Sequence, residues 1–177
     1  MPKTIKKIWN LLTTILVAAA VLLAVLLAGV RIVGLTPYAV LSGSMEPTYH
    51  VGSLIYVQKA APESIKVGDP ITFVLNEDLQ VATHRVVEID AVNQRFYTKG
   101  DANNAADAAP VHYKNLLGKP IFTIPQLGYV SSFLNTSRGM ILAGTAAAVI
   151  LILVFVPDML NAADKADKKS AKAKSRD

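Results

Sequence analysis

Val81-Ala82-Thr83-His84-Arg85-Val86-Val87-Glu88-Ile89 is the stretch whose reading decides the fold. β-Branched residues dominate it, and they pack well on a pleated surface but lose side-chain freedom on a helix. Side chains alternate between the two faces of a strand, so Ala82, His84 and Val86 share one face while Val81, Thr83, Arg85 and Val87 share the other. His84 is thereby fixed beside two apolar residues, at the edge of a core. Segments of the same texture lie around it: Ser53 to Gln58 (SLIYVQ), Ile71 to Leu75 (ITFVL), Phe96 to Lys99, and Leu116 to Ile124 (LLGKPIFTI) with Pro120 marking an edge or a bulge. Turn material at Val67-Gly68-Asp69-Pro70 and Asn76-Glu77-Asp78 separates them. The fold class is mainly β: a small antiparallel domain over residues 34–138, in which 101–110 (DANNAADAAP) reads as an irregular loop.

Two apolar runs flank this domain. Residues 11–30 read LLTTILVAAAVLLAVLLAGV without a charge, as long as the roughly 20 residues a helix needs to cross a bilayer core. The run continues well past Ala18-Ala19-Ala20, beyond the length of a cleavable signal's apolar region, so it reads as an uncleaved transmembrane helix over 11–33. Residues 139–156 read GMILAGTAAAVILILVFV, about 27 Å of helix at ~1.5 Å per residue, enough for a second span. Gly128 to Arg138 reads as an approach segment, with Tyr129 and Phe133 at the membrane surface.

The charge distribution gives a direction. The net charge of +5 is compatible with nucleic-acid binding, but the basic residues cluster just outside the apolar runs. Lys3, Lys6 and Lys7 precede the first, and Lys165, Lys168, Lys169, Lys172, Lys174 and Arg176 follow the second. Basic flanks mark the cytoplasmic side. The basic N-terminus (1–10) and a basic, disordered tail (157–177) are therefore expected inside, with the β domain outside. No nucleic-acid partner is expected. The chain has no cysteine, which excludes disulfides and thiolate chemistry and says nothing about compartment.

Few side chains remain for catalysis. Leu41-Ser42-Gly43-Ser44-Met45-Glu46-Pro47-Thr48 can expose a serine on a tight, backbone-rich turn, yet such a sequence alone is an ordinary turn. A serine becomes a nucleophile when a base takes its proton and a third group orients the base. The only histidines are His50, His84 and His112, of which the first and last lie in loop-like sequence and read as solvated. Asp101 follows Lys99-Gly100 at a strand end, and Asp107 lies further round the same loop. Either carboxylate could accept a bond from His84 Nδ1. The scattered histidines lack metal-ligand spacing, and no metal or organic cofactor is expected.

Taken together, Ser42 to Thr48, Val67-Gly68-Asp69-Pro70-Ile71, Thr83-His84-Arg85-Val86 and Lys99-Gly100-Asp101 with Asn103-Asn104 resemble, in order, the sequence boxes of type I signal peptidases. The resemblance covers roughly Leu35 to Pro125, with the anchor ahead of it. His84 stands where the common bacterial enzymes carry a lysine, so the chain is similar to the endoplasmic-reticulum type found in eukaryotes, archaea and some Gram-positive bacteria. Lys59 and Lys66 remain as alternative bases, in polar loop sequence that would not desolvate them.

What the resemblance implies is a signal-peptidase-like β catalytic domain between two transmembrane helices in the cell membrane. Ser44 would be the nucleophile and His84 the general base. Asp101 and Asp107 both match acidic positions of the last box, and which one meets His84 stays open. Ser42 and the Ser44 N–H would face the oxyanion, and Arg85 would be a structural ion-pair partner. Expected partners are the lipid bilayer and signal-peptide-bearing preproteins, bound as a strand in a groove made by segments 42–47 and 81–86, with Met45, Pro47, Ala82 and Val86 as its contacts. A processing peptidase dedicated to a few surface, pilin-like or matrix proteins, and a catalytically silent β binding module, are the alternatives.

Overall fold

A computed structural model describes residues 3–75 and 80–174. The turn expected at Asn76-Glu77-Asp78 and the last three residues of the tail lie outside the described residues. The chain divides into two units: Val25–Asn135, and the two ends of the chain up to Ala24 and from Thr136.

In the first unit, seven strands among the described residues form one antiparallel sheet. They are β1 (Leu35–Ala39), β2 (Leu54–Gln58), β3 (Pro70–Val74), β4 (Val81–Asp90), β5 (Arg95–Lys99), β6 (Val111–His112) and β7 (Leu116–Ile124), in the order β1-β2-β7-β3-β4-β5-β6. β4 is the anticipated strand, and its partner β3 sets Ile71 opposite His84 and Phe73 opposite Ala82. On the inner face Ala82 and His84 lead to the fully buried Val86, although exposure does not alternate over 82–85, where all four residues are half-buried. Val86 joins Ile65, Ile71, Phe73, Phe96 and Val111 in a core cluster, while Tyr113 stacks on Phe96 with ring centres 4.5 Å apart. β7 runs between β2 and β3, so Pro120 is not on an edge. It sits at a register shift in which Tyr56 faces Phe122 and Val57 faces Pro120, and this bulge accommodates the missing N–H.

β1 was not anticipated, because Leu35-Thr36-Pro37-Tyr38-Ala39 carries a proline and shows no alternation. At the sheet edge the proline is tolerated. The approach segment is a helix, α2 (Leu127–Leu134), with Tyr129 and Phe133 exposed. Its composition favours strands, and tertiary packing decides otherwise: Gly128 lies so close to β2 that a Cβ there would come 2.2 Å from the Ser53 carbonyl oxygen. With β1, β7 and α2 around it, β2 buries Leu54, Ile55, Tyr56 and Val57 consecutively rather than alternately. The Tyr56 hydroxyl donates to the Leu26 carbonyl at 2.9 Å, satisfying one of the carbonyls left open where the first helix ends.

That helix, α1 (Lys3–Leu27), starts earlier and stops sooner than the span expected over 11–33; Gly29–Val33 form a 3-10 turn closed by Gly34 at φ 80°. The last helix, α3 (Ser137–Lys174), does not end at Val156. It runs through Pro157 into the tail expected to be disordered, where alanine and lysine, both strong helix formers, carry it on. Thr4–Leu27 and Ser137–Phe155 are each long and apolar enough to cross a membrane. Proline has no N–H, so Pro157 leaves the carbonyl four residues back, that of Leu153, without its helical donor. The indole N–H of Trp9 on α1 donates to that carbonyl at 3.2 Å.

Candidate active site

Short-range bonds shape the turn that carries Ser44. The Glu46 N–H donates to the Gly43 carbonyl at 3.0 Å and the Tyr49 N–H to the Met45 carbonyl at 2.9 Å, with Met45 buried beneath as an anchor. The ends of the turn are pinned where Val40 donates to the Ser53 carbonyl and accepts from Gly52, each at 2.9 Å. A second loop, beginning at Gly100, abuts the turn. The Ala102 N–H donates to the Ser44 carbonyl at 2.9 Å, and a Cβ on Gly100 would lie 2.5 Å from that oxygen. Only glycine allows this approach.

His84 projects from β4 toward Ser44 with its ring edge-on to Phe73, 6.2 Å between centres. Its Nε2 lies 3.1 Å from the Ser44 hydroxyl and its Nδ1 2.6 Å from Asp107 Oδ2. The Ser44 hydroxyl donates when Nδ1–H is held by the carboxylate, which fixes the required tautomer. Both partners are shielded, with side-chain exposures of 14% for His84 and 21% for Asp107. The same Asp107 oxygen accepts from the Thr98 hydroxyl at 2.6 Å.

Asp101 has a different partner. Its carboxylate takes a two-pronged bond from Arg85, 2.7 Å from Nε and 2.6 Å from Nη2, and a further bond from the Thr48 hydroxyl at 2.5 Å. Arg85 also donates from Nη1 to the Gly68 carbonyl at 2.8 Å. The bond from Arg85 holds the Asp101 carboxyl below the usual carboxylate range in spite of burial, and the same bond raises the guanidinium further above its ordinary value. Arg85 is thus an ion-pair partner, joining the Ser44 turn, the Gly68 turn and the Gly100 loop. The sequence left the two aspartates interchangeable; the geometry gives His84 to Asp107.

The Ser42 hydroxyl lies 3.3 Å from that of Ser44. A groove of about 1040 Å³ opens at the serine, lined among others by Tyr38, Leu41, Met45, Leu75, Ala82 and Ala108. Met45 and Ala82 were expected there. Val86 is a correction: one step deeper along the inner face than His84, it is sealed in the core, while Pro47 is exposed and does not line the groove. Lys59 and Lys66 are exposed and line no part of the groove. His50 is exposed and pairs with Glu46 at 2.5 Å, which holds the Glu46 carboxyl low. His112 is partly exposed, and its Nδ1 accepts from the Lys114 N–H at 3.1 Å, capping a 3-10 turn. Thr98 was missed altogether, since a threonine inside a strand carries no signal of what its hydroxyl meets.

Such an arrangement can draw a proton from a serine hydroxyl and hold the resulting imidazolium against a carboxylate, beside an open groove of about 1040 Å³. The signal peptidase family, peptidase S26, matches residues 11–103, more than half of the chain, and the chain belongs to it. Ser44, His84 and Asp101 fall inside the match, while Asp107 lies just beyond it. Among curated relatives, signal peptidase I W of Bacillus subtilis is 38% identical over 121 residues, 63% of each protein. The human signal peptidase complex catalytic subunit SEC11C is 31% identical over 107 residues, 54% of this chain and 55% of that one. SEC11 of Zygosaccharomyces rouxii is 32% identical over 111 residues, 56% of this chain and 65% of that protein. The chain thus spans less than two thirds of the length of these relatives.

Proposed function

We propose that the chain is a membrane-bound serine endopeptidase that removes N-terminal signal peptides from exported preproteins, cutting after small residues at the outer face of the cell membrane. The observation that carries this reading is the relay of 3.1 Å from Ser44 to His84 and 2.6 Å from His84 to Asp107. Ser44 Oγ attacks the scissile carbonyl carbon while its proton passes to His84 Nε2, and the Asp107 carboxylate stabilises the imidazolium. The oxyanion is met by the Ser44 N–H and, from the side, by the Ser42 hydroxyl. As the C–N bond breaks, Nε2 returns the proton to the leaving amine, leaving an acyl ester on Ser44. Water then gives a proton to Nε2 and its oxygen to the carbonyl, and the serine is released with the proton restored.

The membrane belongs to the mechanism. In this reading α1 and α3 both span, the two termini are cytoplasmic and the β unit lies outside. Only 13 residues separate Val30 from Ser44, at most about 45 Å of extended chain. A signal peptide ends its apolar segment at the same level and continues as a strand, which the groove beside Ser44 can accept through backbone bonds. The apolar lining from Tyr38, Leu41, Met45 and Ala82 supports small apolar side chains next to the cut.

The test is cleavage of a preprotein by the purified full chain in detergent or liposomes. The wild type should cut and Ser44→Ala should not. Cutting by Ser44→Ala would end this reading, and a wild type that binds preprotein without cutting would return the silent module. Profiles of secreted proteins after depletion then separate a general peptidase, with many uncut precursors, from a dedicated one with few.

A further inference from the structure

Thr98 takes no proton in the relay, yet its surroundings are those of a functional group. It lies in β5, opposite Val86 of β4, and is 1% exposed, so its hydroxyl cannot be satisfied by bulk water. That hydroxyl donates to Asp107 Oδ2 at 2.6 Å, the oxygen that faces His84 Nδ1. The Asp107 N–H in turn donates to the Thr98 carbonyl at 2.8 Å, so strand and loop are tied by two reciprocal bonds at one residue pair. Rotation of an aspartate carboxylate about its last torsion is soft and roughly two-fold, so backbone placement alone does not hold one oxygen toward a partner.

We propose that Thr98 is a positioning residue: its buried hydroxyl locks the Asp107 carboxylate with Oδ2 toward His84, and so orders the imidazole before substrate arrives. The proposal rests on the Ser44, His84, Asp107 reading above. Arg85 and Asp101 cannot substitute for it, because their bonds are spent on each other, on Thr48 and on Gly68. A hydrogen bond to an ionised carboxylate is stronger than one between neutral groups, and its loss is felt where the imidazolium forms.

The experiment compares the purified full chain with Thr98→Val, Thr98→Ser and Asp107→Asn in preprotein cleavage. Thr98→Val should lower kcat about 10- to 100-fold while KM stays within about twofold, because the hydroxyl touches no part of the substrate groove. Thr98→Ser, which keeps the hydroxyl and drops the methyl, should recover most of that loss. In the Asp107→Asn background Thr98→Val should add little, since the carboxylate it orients is already gone. A readout independent of turnover is the His84 Nδ1 proton signal by NMR in the Ser44→Ala protein, which should broaden or move with Thr98→Val and return with Thr98→Ser.

Wild-type kcat in Thr98→Val, a loss that serine does not restore, or full additivity with Asp107→Asn would each overturn the proposal. Those results leave the relay standing if Ser44→Ala and His84→Ala are inactive. If either of them still cuts, the relay itself falls, and the NMR signal still reports whether Thr98 holds Asp107 against His84.

Discussion

Asp101 and Asp107 leave the same loop six positions apart, and the protein uses them in opposite ways. Asp107 meets an imidazole nitrogen and a hydroxyl, with no cation from lysine or arginine against it in these bonds. Asp101 meets a guanidinium in a two-pronged bond, and its charge is already answered. Identical side chains thus meet a histidine in one case and an arginine in the other. The difference lies in what the neighbouring strand presents: β4 offers His84 from its inner face to one and Arg85, the next residue, to the other.

The contrast is broken most directly by removing Asp107. Asp107→Ala should lower kcat about 1,000- to 10,000-fold with folding retained, because the imidazole loses both its tautomer and its counter-charge. Circular dichroism and a cleavage assay measure the two sides, and a mild loss of rate would reassign the orienting role. Asp101→Ala should act in reverse: a loss of about 1–3 kcal/mol in stability, from stranding Arg85, with a smaller effect on rate. Thermal unfolding in detergent checks it, and an inactive protein of unchanged stability would make Asp101 part of the chemistry.

Acidity sharpens the same comparison. The Asp101 carboxyl is depressed by Arg85, so its contribution to stability is complete above the ordinary aspartate value of about 3.9 and is lost as pH falls through the lower folded value. Wild type should therefore be more stable than Asp101→Asn at neutral pH, and the two melting curves should converge only at strongly acidic pH. Curves that meet already near neutrality would mean that the ion pair contributes nothing. The smallest effects separate groove from turn. Ala82→Leu should raise KM several-fold, by roughly one lost side-chain pocket, whereas Pro47→Ala should leave it unchanged.

How much of this the sequence disclosed follows from the kind of interaction involved. β4 was legible because its run of β-branched residues is a local signal, whereas Ser44, His84 and the two aspartates stood out as a set only through the family resemblance. Which aspartate faces the histidine was not, because the course of the 101–110 loop is fixed by Arg85 and Thr98, partners on other strands. α2 stayed hidden for a related reason. Leu127-Gly128-Tyr129-Val130 has little helical preference of its own, and it is the glycine's seat on Ser53 that holds it. Val86 was misread because period-two alternation tells which face a residue takes but not where along that face an open groove becomes a closed core.

Pro157 gives the two long helices something that shape alone does not: an address. By withdrawing one donor it leaves the carbonyl of Leu153 to the Trp9 indole of the other helix, a polar bond that favours one register over the many that smooth apolar surfaces tolerate. The chain has one tryptophan, so the colour of its fluorescence reports that register directly. Pro157→Ala, by returning the N–H, should alter the emission of Trp9; an unchanged spectrum would mean that the helices find each other by another rule.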